Sequence, residues 1–376
     1  KKKSREENLK PYRMAQPRAK GYAVERTTGE TSPGFGIDGC SAPNYACTLK
    51  GIARAMARFA SAKAELACQY AHRNNIAKVI AVADDVFRMR YQTAIKLDID
   101  LSISSIELLS EILSAGQSLN KKPRVHIEVD TGMSRGGVLG DWKEFLAEVV
   151  KVADKIEVVG IWSHFARADE PGEKMNKEQL DLFMDWVEDL SKATITPKYL
   201  HIANSAATLT NKSSHKNIIR WGIGLYGLSP DVNNLGDSKS LTLHPAMRLY
   251  AKLQLVKSVK AGVSVGYGAT ANTKTDTKLG VVTLGYADGI PRNASNLAGV
   301  FVAGRRAPLI GRVSMDQFVV DLGINSLAKT GDEVIVFGDG SQGEYTIDEW
   351  AKACGTINYE IVTRIGVRVP RIYSRE

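Results

Sequence analysis

The sequence predicts an α/β chain: a TIM-type (β/α)8 barrel over residues 1–240, followed by a mainly β domain over residues 241–376. Two observations predict the barrel. From about residue 100, apolar strand-like runs alternate with segments of helical periodicity, the order of a parallel sheet covered on both faces. Each run also ends in polar, glycine-containing residues, which favours a barrel, with its chemistry at the strand ends, over a doubly wound sheet. A third observation predicts the second domain. Past about residue 240 the strands are short and split by Gly-rich turns, with no long helix before Ile347.

Ser104-Ser-Ile-Glu107 reads as a capping box opening a helix from Ile106 to Leu113, which Gly116 can close. In the next strand Val125, Ile127 and Val129 fall on one face, and His126, Glu128 and Asp130 on the other. Asp130, Thr131 and Arg135 stand at its C-terminal end. Trp142, Phe145, Leu146, Val149 and Val150 recur at helical spacing. Ile156 to Ser163 is the following strand, ending in His164-Phe-Ala-Arg167. Leu180, Phe183, Met184, Val187 and Leu190 mark another amphipathic helix. Tyr199 to Ala203 is a short strand ending in Asn204-Ser205, and Ile218 to Gly227 closes the series. In the second domain the expected strands are 249–256, 279–285, 299–302, 318–322 and 333–337, with a helix over 347–353.

With 376 residues the chain can bury a large core. The net charge of +9 comes from Lys and Arg spread along the chain, with the densest cluster at Lys1–Arg5, so it reads as surface bias rather than a nucleic-acid site. Cys40, Cys47, Cys68 and Cys354 form no CxxC pair and read as free thiols in a reducing compartment, with no metal site. No signal peptide or membrane-length apolar run is apparent, so a cytoplasmic protein is expected.

Taken alone, the strand-end residues point to a phosphate-bearing cofactor at the barrel mouth. Asn204-Ser205 and Gly222-Ile223 offer a hydroxyl and close backbone amides where such barrels commonly hold phosphate. Arg220 adds a permanent cation with planar donors, and His164 ends a neighbouring strand. Read singly, His164 and His201 are also consistent with core histidines, and Arg220 with an ion-pair partner.

Together, from about residue 98 to the C-terminus, these stretches resemble the bacterial alanine racemases. The matching strings are Val129-Asp-Thr-Gly-Met-Ser-Arg135, Ser163-His-Phe-Ala166, Ala203-Asn-Ser-Ala-Ala207 and Arg220-Trp-Gly-Ile-Gly-Leu-Tyr-Gly227. Further on come Gly266-Tyr-Gly-Ala-Thr270, Gly285-Tyr-Ala-Asp-Gly289, Gly311-Arg-Val-Ser-Met-Asp-Gln317, Thr356-Ile-Asn-Tyr359 and Arg368-Val-Pro-Arg371. The resemblance implies a pyridoxal 5'-phosphate-dependent enzyme that interconverts L- and D-alanine by two-base proton transfer, supplying D-alanine for peptidoglycan. It implies Tyr267 as the second catalytic base, with His164 and Arg220 polarising it, because a phenol of pKa about 10 is a poor base at neutral pH. It further implies Arg220 on the pyridine nitrogen, and Ser205, Gly222, Ile223 and Tyr359 on the phosphate. Arg135 is implied at the cofactor's phenolic oxygen and the substrate carboxylate, Met315 at that carboxylate, and Tyr286 on the substrate access path. A head-to-tail homodimer is implied, the β domain of one subunit completing the barrel site of the other.

Two departures stand out. Glu128 occupies the place of a lysine that becomes carbamylated in many family members, and supplies a negative charge directly. The Lys-Ala-Asn-Ala-Tyr-Gly-His-Gly type of motif that carries the cofactor lysine is not found in residues 1–97. Lys50, which ends the run Tyr45–Leu49, is the candidate on physical grounds, with Lys78 second; either also reads as a surface lysine. The alternatives are a serine or broad-specificity racemase of the same architecture, a decarboxylase on the same two-domain plan, and a non-catalytic pyridoxal-phosphate carrier.

Overall fold

The computed structural model describes residues 34–37, 43–47 and 80–81 by their backbone, and residues 91–96 and 99–372 in full but for a few side chains. Lys50 and Lys78 lie outside the described residues. The chain divides into two compact units, the first ending at Gly222 and the second beginning at Ile223. The sequence places this boundary near residue 240. Ile223 and Leu228 are buried in the apolar core of the second unit.

In the first unit, strands β1 (Gly34–Ile37), β2 (Pro43–Cys47) and β3 (Ile80–Ala81) precede helix α1 (Tyr91–Lys96). There follow β4 (Asp100–Ile103), α2 (Ile106–Ser118), β5 (Arg124–Glu128), α3 (Trp142–Lys151), β6 (Glu157–Trp162) and α4 (Lys174–Lys192). β7 (Tyr199–His201), α5 (Ser205–Thr210) and β8 (Ile219–Trp221) complete it. The eight strands form one sheet in the order β7-β6-β5-β4-β3-β1-β2-β8. The Arg220 amide donates to the Ala203 carbonyl at 2.9 Å, so the two ends of the row meet and the sheet closes as a barrel.

Strands β3 to β7 and β1 are mutually parallel, while β2 is antiparallel to both β1 and β8. β8 therefore runs with the parallel set, and the C-terminal end of β2 faces the rim opposite theirs. Helices cover the outside, so the central strands are buried on both faces: all of β4 is buried, as are Val125, His126 and Ile127 of β5. The polar face expected of β5 thus looks into the barrel, where His126 is fully buried.

Local signals hold with small shifts. α2 is capped by Ser105, whose hydroxyl accepts from the Leu108 amide at 3.2 Å, rather than by Ser104. Gly116 does not end that helix. It lies inside it, where a Cβ would stand 2.6 Å from the Pro123 ring, so its bareness serves close packing.

The second unit carries a six-stranded antiparallel sheet. Its strands are β9 (Leu249–Val259), β12 (Thr277–Val282), β13 (Gly299–Val302), β14 (Arg305–Pro308), β15 (Phe318–Asp321) and β16 (Glu333–Phe337), in the order β14-β13-β16-β9-β12-β15. A small hairpin pairs β10 (Ser264–Val265) with β11 (Ala271–Asn272). Helices α6 (Ile347–Cys354) and α7 (Asn358–Arg364) follow. The sheet and α6 bury Phe318, Phe337 and Trp350, and the Trp350 indole donates to the Val336 carbonyl at 2.8 Å. α6 opens with a capping box: the Thr346 hydroxyl accepts from the Glu349 amide at 3.2 Å, and the Glu349 carboxylate from the Thr346 amide at 2.7 Å. From α6, Asp348 accepts from the Ser238 amide and hydroxyl, both at 2.9 Å, and from the Asn358 amide group at 2.6 Å. Asn358 also donates to the Ser229 carbonyl at 2.9 Å, which pins residues 229–238 to both helices. Among the described residues, no helix is long and apolar enough to cross a membrane.

Candidate active site

In the first unit, the polar residues after β5, β6, β7 and β8 converge at one rim. Beyond β5, one Asp130 oxygen accepts from the backbone amides of Gly132, Met133 and Ser134 at 2.8, 2.8 and 3.0 Å. That carboxylate shapes the turn rather than facing a ligand. The Thr131 and Ser163 hydroxyls are 2.8 Å apart, joining the ends of β5 and β6. Gln179 of α4 ties both ends down. Its side chain donates to Thr131 Oγ1 and the His164 carbonyl at 3.2 and 3.0 Å, and accepts from the Ala166 amide at 2.9 Å. Glu128, Met133, Arg135 and His164 line a small depression at this rim.

Arg220 leaves β8 at the centre of the cluster. Its guanidinium donates to the carbonyls of Ser163 (2.7 Å), His201 (3.1 Å) and Ile202 (3.3 Å). It also lies 3.1 Å from Nδ1 of both His201 and His164. The group stacks over the Trp162 ring at 4.9 Å. An arginine can only donate, so both imidazoles accept from it. Burial and the cations Arg220 and Arg135 hold His164 well below the ordinary histidine range, so it is neutral at pH 7. Burial above all, with the cation of Arg220, does the same to His201. The permanent cation of the cluster is Arg220, not His164. Beside it, the Gly222 amide donates to Ser205 Oγ at 2.9 Å, at the start of α5.

In the second unit, the Ile223 amide donates to the Tyr359 hydroxyl at 3.3 Å. Tyr286 and Met315 are brought together because the backbones of 285–287 and 314–315 pair: Tyr286 and Ala287 amides donate to the Ser314 and Met315 carbonyls at 3.0 and 2.9 Å. A Cβ on Gly285 would stand 2.2 Å from the Met315 carbonyl oxygen, so only glycine permits this approach. Arg368 donates to Asp288 at 3.0 Å and to Asp316 at 2.7 Å, clamping the same two loops. Tyr267 lies in a turn that packs against residues 311–312 and is 69% exposed, with Met315 at 55%, so neither ring nor thioether is spent on the core of its own unit.

Residues 43–230 match the family model described as "Alanine racemase, N-terminal domain", and residues 246–373 the one described as "Alanine racemase, C-terminal domain". The chain belongs to the alanine racemase family. Curated relatives named alanine racemase include one from Salinispora arenicola, 47% identical over 282 residues (74% of each chain), and one from Streptomyces coelicolor, 42% identical over 290 residues (76% of this chain, 74% of that one). Among solved structures, the alanine racemase from D-cycloserine-producing Streptomyces lavendulae is 38% identical with a TM-score of 0.77, covering 95% of this chain and 94% of its own. That from Streptomyces coelicolor A3(2) is 34% identical with a TM-score of 0.79, covering 96% and 97%.

Against the family pattern, the first unit gathers Arg135, His164, Ser205, Arg220 and Gly222 at one rim. The second gathers Tyr286 with Met315, and Ile223 with Tyr359. Reading the sequence missed Asp100, His126 and Gln179, which are polar and almost wholly buried. For His126 the signal was present, since it sits on the polar face of an alternating strand; a strand closed into a barrel turns that face inward.

Proposed function

We propose that this chain racemises alanine with pyridoxal 5'-phosphate. The observation that carries the reading is Arg220, a permanent cation locked by three carbonyls and two neutral imidazoles at the rim where the barrel strands end. Bound there, pyridoxal phosphate supplies an electron sink that makes the Cα proton of an amino acid removable. The donor set fits that group. Ser205 and the Gly222 amide in the first unit, and the Ile223 amide and Tyr359 hydroxyl in the second, are assigned to its phosphate; none of them is a carboxylate, as a phosphate requires. Arg220 will not give up its proton, so it would leave the cofactor's ring nitrogen largely unprotonated, a weaker electron sink that would disfavour side reactions such as transamination.

Arg135 and the Met315 backbone are assigned to the substrate carboxylate. Tyr267 is assigned to the proton on one face of the substrate, with His164 passing on the polarisation of Arg220, and the cofactor lysine to the other face. The exposure of Tyr267 and Met315 supports a head-to-tail homodimer in which they serve the partner's barrel. Tyr286 is assigned to the access path. We take the enzyme as cytoplasmic, supplying D-alanine for peptidoglycan.

A second reading, a pyridoxal-phosphate carrier without catalysis, draws on the missing lysine motif in residues 1–97. One experiment separates the two. D-Alanine formation from L-alanine is assayed with and without added cofactor, beside L-serine. Borohydride reduction then traps the cofactor lysine for peptide mapping. A single pyridoxyl-lysine with turnover supports the racemase and decides between Lys50, Lys78 and any other lysine. Labelling without turnover supports the carrier, and the absence of both label and turnover overturns both readings.

A further inference from the structure

Behind Arg220 a line of buried polar side chains runs through the barrel interior. His201 Nε2 lies 2.8 Å from His126 Nδ1. His126 Nε2 lies 3.4 Å from the Asp100 carboxylate. Arg124 grips that carboxylate from the far side, through Nε at 2.6 Å and a terminal nitrogen at 3.3 Å. Asp100, His126 and His201 are each no more than 1% exposed. The rings have no freedom to turn. Trp162 stacks on His201 with centroids 5.9 Å apart and planes 5° from parallel, and Tyr199 stacks on His126 at 5.9 Å and 7°. On β6, paired with His126, stands Gly160, whose missing side chain leaves the space the imidazole fills.

The two ends of the line settle the protons along it. Arg220 can only donate, so His201 Nδ1 must accept and its proton sits on Nε2. That N–H donates to His126 Nδ1, which places the His126 proton on Nε2 in turn. The last N–H then meets the Asp100 carboxylate, which can only accept. A proton added to His126 Nδ1 would force His201 to turn an N–H toward Arg220, donor against donor.

We propose that Asp100 and His126 are positioning residues for Arg220, acting through His201 along this one-way chain of hydrogen bonds. Asp100 and Arg220, at the two ends, together fix the tautomer of both imidazoles, and the lone pair on His201 holds the guanidinium in its plane. The proposal rests on the reading of Arg220 as the cation that faces the cofactor.

The test is long-range proton–nitrogen NMR on the full chain with 15N-labelled histidine, at neutral pH and without cofactor. The six histidines are assigned by single substitutions. His126 and His201 are expected as neutral, Nε2-protonated rings; an Nδ1–H on either, or an imidazolium at His126, overturns the proposal. In Asp100→Asn the amide oxygen remains with Arg124, and the new NH2 faces His126. The line then has a donor at both ends, so the tautomers are expected to reverse at least in part, giving Nδ1–H signals absent from the unaltered chain, and kcat of the loaded enzyme to fall roughly tenfold or more, the loss of one hydrogen bond to a charged group, with KM little changed. Lower thermal stability with unchanged tautomers and unchanged kcat would mark the chain as scaffolding and overturn the proposal. The tautomers are read without cofactor, so they decide the matter even if no racemase activity is found, a result that would count against the functional reading alone.

Discussion

Gly160 and His126 are cross-strand partners, and a Cβ on residue 160 would stand 2.1 Å from the His126 imidazole nitrogen. Real contacts never approach so closely, and both neighbours are held in the barrel wall. Gly160→Ala is therefore expected to destabilise the protein by about 1–3 kcal/mol through overpacking. Urea denaturation checks this. Adding His126→Ala should recover part of the loss, since the two changes share one volume; strictly additive effects would contradict the shared space.

Arg220→Lys keeps the charge and loses the fork. A lysine has three donors on one atom and cannot reach three carbonyls and two imidazoles at once. Each hydrogen bond to a charged group is worth about 1.5–3 kcal/mol, so turnover should fall by roughly ten- to a hundredfold. Steady-state kinetics on the variant reads this directly, and near-normal kcat would remove Arg220 from its assigned role.

Glu128 and Arg135 line the same depression at the rim. Glu128→Gln removes a negative charge with little change in shape, and is expected to raise KM for alanine while leaving the fold intact. An unchanged KM would mean that the carboxylate does not orient Arg135.

Arg368 bridges the turn that carries Tyr286 and the loop that carries Met315. The guanidinium is exposed, so Arg368→Ala should barely move the melting temperature. It should instead loosen the two loops and raise KM more than it lowers kcat. Equal loss of stability and activity would show that the clamp matters only to the fold.

His201 predicts how stability depends on pH. Its folded pKa is well below that of the unfolded chain, so below about pH 6.5 the unfolded state takes up a proton that the native state refuses. Its contribution is intact above that pH and declines on acidification, by at most about 1.4 kcal/mol per pH unit. Unfolding free energies measured between pH 7.5 and 5 should follow this sign, and His201→Asn should flatten part of the slope.

Apolar spacing in the sequence located strands well where the chain buries one kind of surface. β13 and β16 coincide with the expected 299–302 and 333–337. It misread faces where polar groups are buried and satisfied. α4 was expected to bury Leu180, Phe183, Met184, Val187 and Leu190, yet its buried side is Asn176, Gln179, Phe183, Trp186 and Leu190. Asn176 and Gln179 are inside because they bond loop carbonyls and amides, a gain that hydropathy cannot register. The short helix α7, opened by the buried polar Asn358, escaped notice for the same reason. At the site, glycine-rich strand ends flagged the rim residues, whereas Asp100 and Gln179 become meaningful only through partners 24 to 48 residues away.

The bond between Ser238 and Asp348 spans 110 residues. On the ribosome, residues 229–238 emerge long before the helix that pins them. At about 5–20 residues per second, that strand of chain waits several seconds or more for its anchor. The β-rich unit therefore cannot close in step with synthesis, and its apolar strands stay exposed until α6 emerges.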